Sequence, residues 1–487
     1  MVVTRLPRPA AAAYAPGPHH RVAVIGGGAS GVLNAINLLG RSADPGLRVE
    51  IHEASGIVGR GIAYGTNDPR HLLNVRSRHM SAFPDIPSDL IEWARRTGRS
   101  EDPQAFLPRL DFATYLQDRL AQVADHRLTI CAGRVEDVVP VGGQFEIRTS
   151  DVTSTADSVV LAYGNQRPKA LVLDGDQLPA ASWHLPNPWD LGALRVLPDD
   201  ATIVVVGTGL TAVDTVITLL EEGPRRRVVM VSRQGQLPRA HVAQLSTAWV
   251  QPVPEGPLTA DLLADHVKEQ IAAAASQGVG WRAVVDGLRA ATTPLWKRLP
   301  LAERRRFLEV HAREWEVRRH RMAPEVAARI RAYEDDGRLS VLGGGIASIA
   351  DRGDRCQVLV GDAPTPIVAQ ALVNCTGPAT DITRSHDPLL LALRERGLVT
   401  PDPLHLGIDT LDGGELVDET GRAVPGLFAV GPPRKGTLWE STAIPEIRAQ
   451  AAAVADGIIA RSALGVDVLR GITGDLGSTH PSAAAPA

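Results

Sequence analysis

The chain has 487 residues, a formal net charge of −4, 44% hydrophobic residues and three cysteines. That length exceeds a single core and predicts two or three domains, while the near-neutral charge excludes nucleic acid or an anionic membrane surface as the main partner. Cys131, Cys356 and Cys375 are too few and too scattered for a disulfide framework or a zinc site, so no metal is expected and a reducing, cytoplasmic setting fits.

Residues 1–19 are rich in Ala and Pro, lack a continuous apolar run, and read as a disordered leader. No later segment offers about 18 uncharged apolar residues, so no membrane span is predicted. The first ordered signal is Arg21-Val-Ala-Val-Ile25, a short apolar run that meets Gly26-Gly-Gly-Ala-Ser-Gly31 and then helical apolar spacing over residues 29–39. In such a loop Gly26 permits a tight turn, Gly28 lets backbone approach a pyrophosphate, and Gly31 lets helix pack on strand; Ala29 and Ser30 supply the first helix N–H groups. The next strand, Leu47-Arg-Val-Glu-Ile-His-Glu53, ends on Glu53, whose carboxylate suits the two ribose hydroxyls of an adenosine and repels a 2′-phosphate.

Ser158-Val-Val-Leu-Ala-Tyr-Gly164 reads as a buried strand reaching a glycine turn. The same grammar restarts at Ala201-Thr-Ile-Val-Val-Val206, with Gly207, Gly209, Leu210 and Thr211 in a second fingerprint whose third glycine is Ala212. Its second strand, Arg227-Val-Val-Met-Val-Ser232, ends without an acid. Ser232 and Arg233 instead offer a hydroxyl and a guanidinium suited to a 2′-phosphate, with Arg239 able to share or replace the role of Arg233. The expected dinucleotide is therefore NADPH, and His241 follows close to the expected nicotinamide position.

From about 258 to 336 the chain turns to charged helical segments. They read either as amphipathic helices with solvated Arg/Glu faces or as a lid that places some of Trp281, Trp296, Trp315, His320 and Arg321 toward substrate, the last two as binders of a substrate carboxylate. Strand signals return from Ser340, with Ala371-Leu-Val-Asn-Cys-Thr-Gly377 and Gly426-Leu-Phe-Ala-Val-Gly431 read as the chain coming back to the first domain. After Leu438-Trp-Glu-Ser-Thr442 a helix is expected, with Thr442 as N-cap and Pro445 in the first turn. Residues 471–487 read as a disordered tail.

Four stretches carry a family resemblance: Gly59-Arg-Gly-Ile-Ala-Tyr-Gly65 with His71-Leu-Leu-Asn-Val75 and Met80-Ser-Ala-Phe-Pro84; Asn187-Pro-Trp-Asp190; Asn374-Cys-Thr-Gly-Pro378; and Gly431-Pro-Pro-Arg-Lys-Gly436 with Trp439-Glu-Ser-Thr-Ala-Ile-Pro-Glu446. In these the chain resembles the two-dinucleotide-binding flavoproteins, in particular a bacterial family of FAD/NAD(P)-binding proteins related to the flavin-dependent N-hydroxylating monooxygenases. The resemblance implies an α/β fold of two Rossmann-like dinucleotide-binding domains with a helical insertion. FAD-binding parts are expected at 20–195 and 346–470, and an NADPH-binding domain at 196–345. It implies that the first fingerprint holds FAD, that Gly59, Arg60, Gly61 and Tyr64 lie along it, and that His71, Asn74 and Trp439 contact flavin or substrate. Gly164 and Gly377 are then close-approach turns linking the domains, and Gly431 and Thr442 belong to the late segment that completes the FAD site. One departure is Gly431-Pro432 where an acid commonly follows the glycine; Asp381 and Asp409 are the candidate substitutes.

The resemblance favours a monooxygenase that uses molecular oxygen, through a flavin C4a-hydroperoxide, to N-hydroxylate an amine or amino acid. The alternatives are an FAD-dependent reductase or dehydrogenase of a small molecule, and a non-catalytic flavin-binding module for a partner protein. Disulfide reductase chemistry is excluded, because residues 54–65 contain no cysteine pair; the spacing before the second fingerprint also departs from that of Baeyer–Villiger monooxygenases. Cys375, ending an apolar strand, reads as a buried structural thiol.

Overall fold

The computed structural model describes residues 19–173, 175–242, 247–361 and 365–475. The expected leader, apart from His19, and residues 476–487 of the expected tail lie outside them; residues 471–475 continue the last helix, Ile444–Asp475.

Two parallel sheets organise the chain. In chain order their strands are β1 (Arg21–Ile25), β2 (Arg48–Glu53), β3 (Leu128–Ala132), β4 (Ser158–Leu161), β5 (His184–Leu185), β6 (Thr202–Val206), β7 (Arg227–Val231), β8 (Leu339–Leu342), β9 (Ala371–Asn374), β10 (Glu415–Val417) and β11 (Ala423–Ala429). The first sheet has the order β10-β11-β4-β1-β2-β3, parallel except at the edge strand β10, and the second the order β5-β9-β6-β7-β8, parallel throughout. The central strands β4 and β9 are buried at every position, so they read as unbroken apolar runs, as strands covered on both faces must.

The two domains repeat one plan. Each begins strand, glycine loop, helix, strand (Ala29–Arg41 after β1, Leu210–Glu222 after β6) and ends with a three-stranded antiparallel meander, residues 135–156 or 346–369. A closing strand then pairs with the opening one, Val159 opposite Ala23 and Leu372 opposite Val204. This corrects the expected domain limits. The second meander and β9 belong to the second domain together with β8, and so does the short β5, which pairs with β9. Their apolar side chains fill the second core, and only beyond Gly377 does the chain return to the first sheet. The helix Pro324–Asp335 buries Val326, Ala327 and Ile330 against Val213 and Ile217 of the fingerprint helix. It is thus the crossover between β7 and β8, and the added layer proper is the group of helices from Ala260–Ser276 to Ala312–Arg319.

Two antiparallel connections join the domains, bridged between Pro168 and Pro378 and by the Ala379 N–H to Arg167 O bond of 3.2 Å. Gly164 and Gly377 begin them in the left-handed region, at φ +67 and +94. Within the chain their glycine requirement is conformational, since a Cβ at either would meet no protein atom within 4 Å.

A buried polar joint fixes the angle between the sheets. Asp68, fully buried, accepts two bonds of 2.7 Å from Arg70 and one of 2.9 Å from Thr218 Oγ1 on the second fingerprint helix. Arg70 reaches on to Glu222 at 2.7 Å. His71 Nε2 lies 3.0 Å from Asp214 O and 2.9 Å from Thr218 Oγ1, with Nδ1 2.9 Å from Thr66 Oγ1. The carbonyl can only accept, so Nε2 carries the proton. Arg109 closes the joint on Asp214 at 2.8 Å.

Burial alone would raise the Asp68 carboxyl, but its bonds from Arg70 outweigh that and hold it at about 2 against an ordinary 3.8. A depressed carboxyl stabilises the fold fully above its unfolded value and loses that contribution as pH falls toward the folded value. We predict that about 2 kcal/mol of stability is lost between pH 4 and pH 2, read from urea midpoints. Asp68→Asn is expected to flatten that segment of the pH profile; an unchanged slope would show that Asp68 is not the group responsible.

Candidate functional site

The two fingerprints are built from the same contacts. Gly26, at φ +104, donates its N–H to His52 O at 2.9 Å, and an added Cβ would fall 2.5 Å from Ala162 O. Gly207, at φ +121, donates to Val231 O at 2.8 Å, and its Cβ would fall 2.2 Å from Cys375 O. In both domains the loop is thus pressed between the second strand and the closing strand, where any side chain is excluded. Gly28 and Gly209 then take the N-cap position in extended conformation, leaving the first helix N–H groups free for phosphate. At Gly31 a Cβ would lie 1.9 Å from Gly26 O, whereas the second domain accommodates the fully buried Ala212.

Around the first fingerprint the donors fit a dinucleotide with an unphosphorylated ribose. Glu53 is held ready at the strand end, accepting from Gly27 N–H at 2.9 Å through Oε2 and from Ser55 through Oε1. Gly59 donates to Gly27 O at 2.7 Å, and a Cβ on Gly61 would come 3.2 Å from Gly28 Cα. The segment carrying Arg60 therefore lies over the loop, and Tyr64 is packed inward on Phe112 at 4.8 Å, its phenol pushed up to about 12 by burial. The late segment arrives where it was expected: Gly431, at φ +86, abuts Ser30, whose Oγ a Cβ would meet at 2.4 Å, and donates to Gln450 Oε1 at 2.9 Å.

The second fingerprint opens on a cleft of about 2250 Å³ between the domains, lined by Gly207, Gly209, Leu210, Thr211 and residues of the first domain including Arg60, Gly61 and Tyr64. Ser232 Oγ is fixed by bonds of 3.0 Å from Thr208 Oγ1 and Gly235 N–H. Arg233 is exposed on the cleft, and its guanidinium makes no hydrogen bond or ion pair among the described residues. Beside it stands a cation that sequence reasoning missed: Arg313 of the insertion donates to Thr208 Oγ1 at 2.9 Å and to Gln236 O. The charged pattern of that helix was visible; which of its arginines faces the loop was not.

Other candidates move. Arg239 does not line the cleft; its backbone is bonded to Val317 and Met322, which turns this segment toward the insertion. Arg321 is buried and paired with Asp286, so it is unavailable to a substrate in the cleft. His241 places Nε2 3.0 Å from Asn74 O and packs on Phe106 at 5.0 Å, outside the cleft lining. His71 reaches the cleft wall, but the joint occupies both its nitrogens. Thr442 lines the cleft without capping the helix: the Glu446 and Ile447 N–H groups bond Ala443 O, so Ala443 is the cap and the helix starts at Ile444, with Pro445 in its first turn. Asp381 lines the cleft, and Asp409 does not. Cys375 is buried, its thiol pushed up to about 12 by burial. Cys131 has more company than its isolation in sequence suggested, since its sulfur and donor atoms of Glu50 and His52 lie within 4.8 Å of one another, on β2 and β3 and outside the cleft lining.

Asn74, His320 and Trp439 line the same cleft. His320 ends the helix Ala312–Arg319, and burial, reinforced by Arg319, lowers its pKa to about 4, leaving the imidazole neutral at neutral pH. Lys435 Nζ lies 4.8 Å from the Trp439 ring centre and 3.9 Å from Glu316. Two carboxylates in the quoted Trp439 to Glu446 stretch tie it to the insertion: Glu440 accepts from buried Arg319 at 3.1 Å, and Glu446 from Arg289 at 2.6 Å. The first cradle, Gly26 to Gly31 with Glu53, lies outside the cleft lining, whereas the cleft itself offers the second cradle, an unpaired guanidinium for a further phosphate, and a mixed polar and aromatic wall.

Among the described residues no helix is long and apolar enough to cross a membrane. The FAD-NAD(P)-binding family model matches residues 23–166. No curated protein sequence matches the chain. Among solved structures, the reduced form of ornithine hydroxylase (PvdA) from Pseudomonas aeruginosa is similar with TM-score 0.63 and 16% identity, over 91% of this chain and 98% of that one. L-lysine 6-monooxygenase from Pseudomonas syringae gives 0.58 and 17%, over 91% and 100%. Kutzneria sp. 744 ornithine N-hydroxylase (KtzI), with reduced FAD, NADP+ and L-ornithine, gives 0.57 and 16%, over 91% and 100%. The chain therefore has the two-dinucleotide-binding flavoprotein fold of these monooxygenases, and its first domain carries the FAD-NAD(P)-binding segment.

Proposed function

We propose that the protein is an FAD-dependent, NADPH-using monooxygenase that hydroxylates the nitrogen of a small amine with molecular oxygen. The observation that carries this reading is one phosphate cradle built twice from the same contacts, one ending in Glu53 and the other, on the interdomain cleft, in Ser232 and Arg233 with its unpaired guanidinium. Bound FAD supplies the hydride acceptor and the oxygen chemistry. The chain's own residues do the rest. Glu53 takes the FAD ribose, Ser232 and Arg233 take the 2′-phosphate of NADPH with Arg313 beside them, and Asn74, Trp439 and Thr442 face the space where flavin and substrate meet. Such chemistry requires positioning and exclusion of water, with no nucleophile, which agrees with a cleft in which His320 is neutral. The solved similar enzymes act on ornithine and lysine, which supports an amine nitrogen as the reacting atom. Three free cysteines suit a reducing, cytoplasmic compartment.

Anaerobic mixing of the FAD-loaded protein with NADPH should bleach the flavin absorbance, and admitting oxygen with a suitable amine should give a hydroxylamine. No bleaching would sink the proposal, and reoxidation that yields only hydrogen peroxide across an amine panel would point to an oxidase or reductase. Arg233→Ala should weaken NADPH binding about 10- to 100-fold and NADH by less than about twofold. Equal losses for both nucleotides, measured by titration, would take the 2′-phosphate away from Arg233.

A further inference from the structure

We infer that the helical insertion holds a second pocket, separate from the dinucleotide cleft, that receives the apolar end of the substrate, and that the substrate is an amine carrying an aromatic ring or a branched aliphatic group of similar size. The assignment to substrate rests on the monooxygenase reading; the pocket itself does not.

The insertion forms a half-open pocket of about 140 Å³ whose surface is mostly apolar, with Val267, Leu295, Trp296, Phe307, Trp315 and Trp439 in its lining. An apolar cavity of about 150 Å³ stays dry and accepts a benzene ring, so this volume matches a group of about six carbons. Several features of the surrounding chain converge on it. The helix Ala260–Ser276 spans the cavity yet buries only Ala260 and Ala274, near its two ends, leaving Leu263 and Val267 half covered over the empty space. The wall at Phe307–His311 is a π-helical turn, a local widening found disproportionately at functional sites. The Trp315 indole N–H is buried there without a partner.

Trp439 stands between this pocket and the cleft and lines both. It stands at φ +62, a conformation costly for a bulky residue, and is held there by stacking on Trp296 at 4.8 Å and by the edge of Phe307 at 5.2 Å. The polar groups Lys435, Glu316 and His320 line the cleft and not the inner cavity. A substrate with its amine in the cleft and its ring behind Trp439 satisfies both environments. The lining also includes His266, Lys268, His311, Glu314 and Arg318, yet apolar atoms make most of the pocket surface, which favours a ring over an ammonium or carboxylate there.

The test uses the FAD-loaded protein and benzyl alcohol as probe, followed by titration calorimetry and by the melting temperature. One saturable site and a rise in melting temperature are expected, with glycerol giving neither, and Ala264→Trp, which fills the cavity from the spanning helix, should lose both signals. Absence of binding to the wild-type protein would overturn the pocket whatever the flavin does. In turnover, benzylamine should stimulate NADPH oxidation at a concentration at least about tenfold below that of L-ornithine; the reverse preference would overturn the substrate assignment. Benzyl alcohol binding with no flavin bleaching by NADPH would support the pocket while removing the monooxygenase reading, so the two failures are distinguishable.

Discussion

The arrangement of this protein depends on one fully buried carboxylate. Asp68 leaves the first domain and meets Thr218 on the fingerprint helix of the second, with Arg70 neutralising its charge. A buried carboxylate is tolerated only when its charge is paired and its lone pairs are filled, so the two domains cannot slide without exposing an unsatisfied charge. His71 and Arg109 both reach Asp214, one turn before Thr218 on the same helix. What the joint fixes is the direction in which the second glycine loop faces, and thereby the width of the cleft onto which that loop opens.

A second set of buried charges acts on the opposite wall. Arg319 with Glu440, and Arg289 with Glu446, fasten the Trp439 segment to the insertion. The insertion in turn reaches the second loop through Arg313. The wall of the cleft is therefore tied both to the late part of the first domain and to the second fingerprint, so a movement of the insertion displaces Trp439 and Thr208 together. Each tie links residues more than a hundred positions apart in the chain, Arg313 with Thr208 among them.

That separation explains what could be read in the sequence. Glycine spacing reports steric exclusion by neighbouring strands, a local matter, and so Gly26, Gly31 and Gly207 declare themselves. The acid at the end of β2 and its absence at the end of β7 are local as well. Tertiary pairing is not. His71 and Arg321 have the chemistry of ligand contacts, yet distant partners, Thr218 and Asp286, consume them. The return of the chain was placed too early because a buried parallel strand carries the same apolar run whichever sheet it joins, and β9 differs from β11 only in its partner. At the last helix the hydroxyl of Thr442 suggested a cap, but Pro445 lies in the second helical position and the turn begins one residue later than the side-chain preference indicates.

The duplicated plan has a bearing on how the molecule comes into being. The second domain lies entirely within the first: its strands β5 to β9 form an unbroken stretch of chain, whereas the first sheet lacks β11, the neighbour of β4, until Ala423–Ala429 has been made. During synthesis from the N-terminus the later domain is therefore the first whose sheet can be completed. The earlier one must wait with β4 as an unpaired edge, and its glycine loop has no neighbour at Ser30 until Gly431 arrives. The nascent protein thus has the second glycine cradle complete before the first.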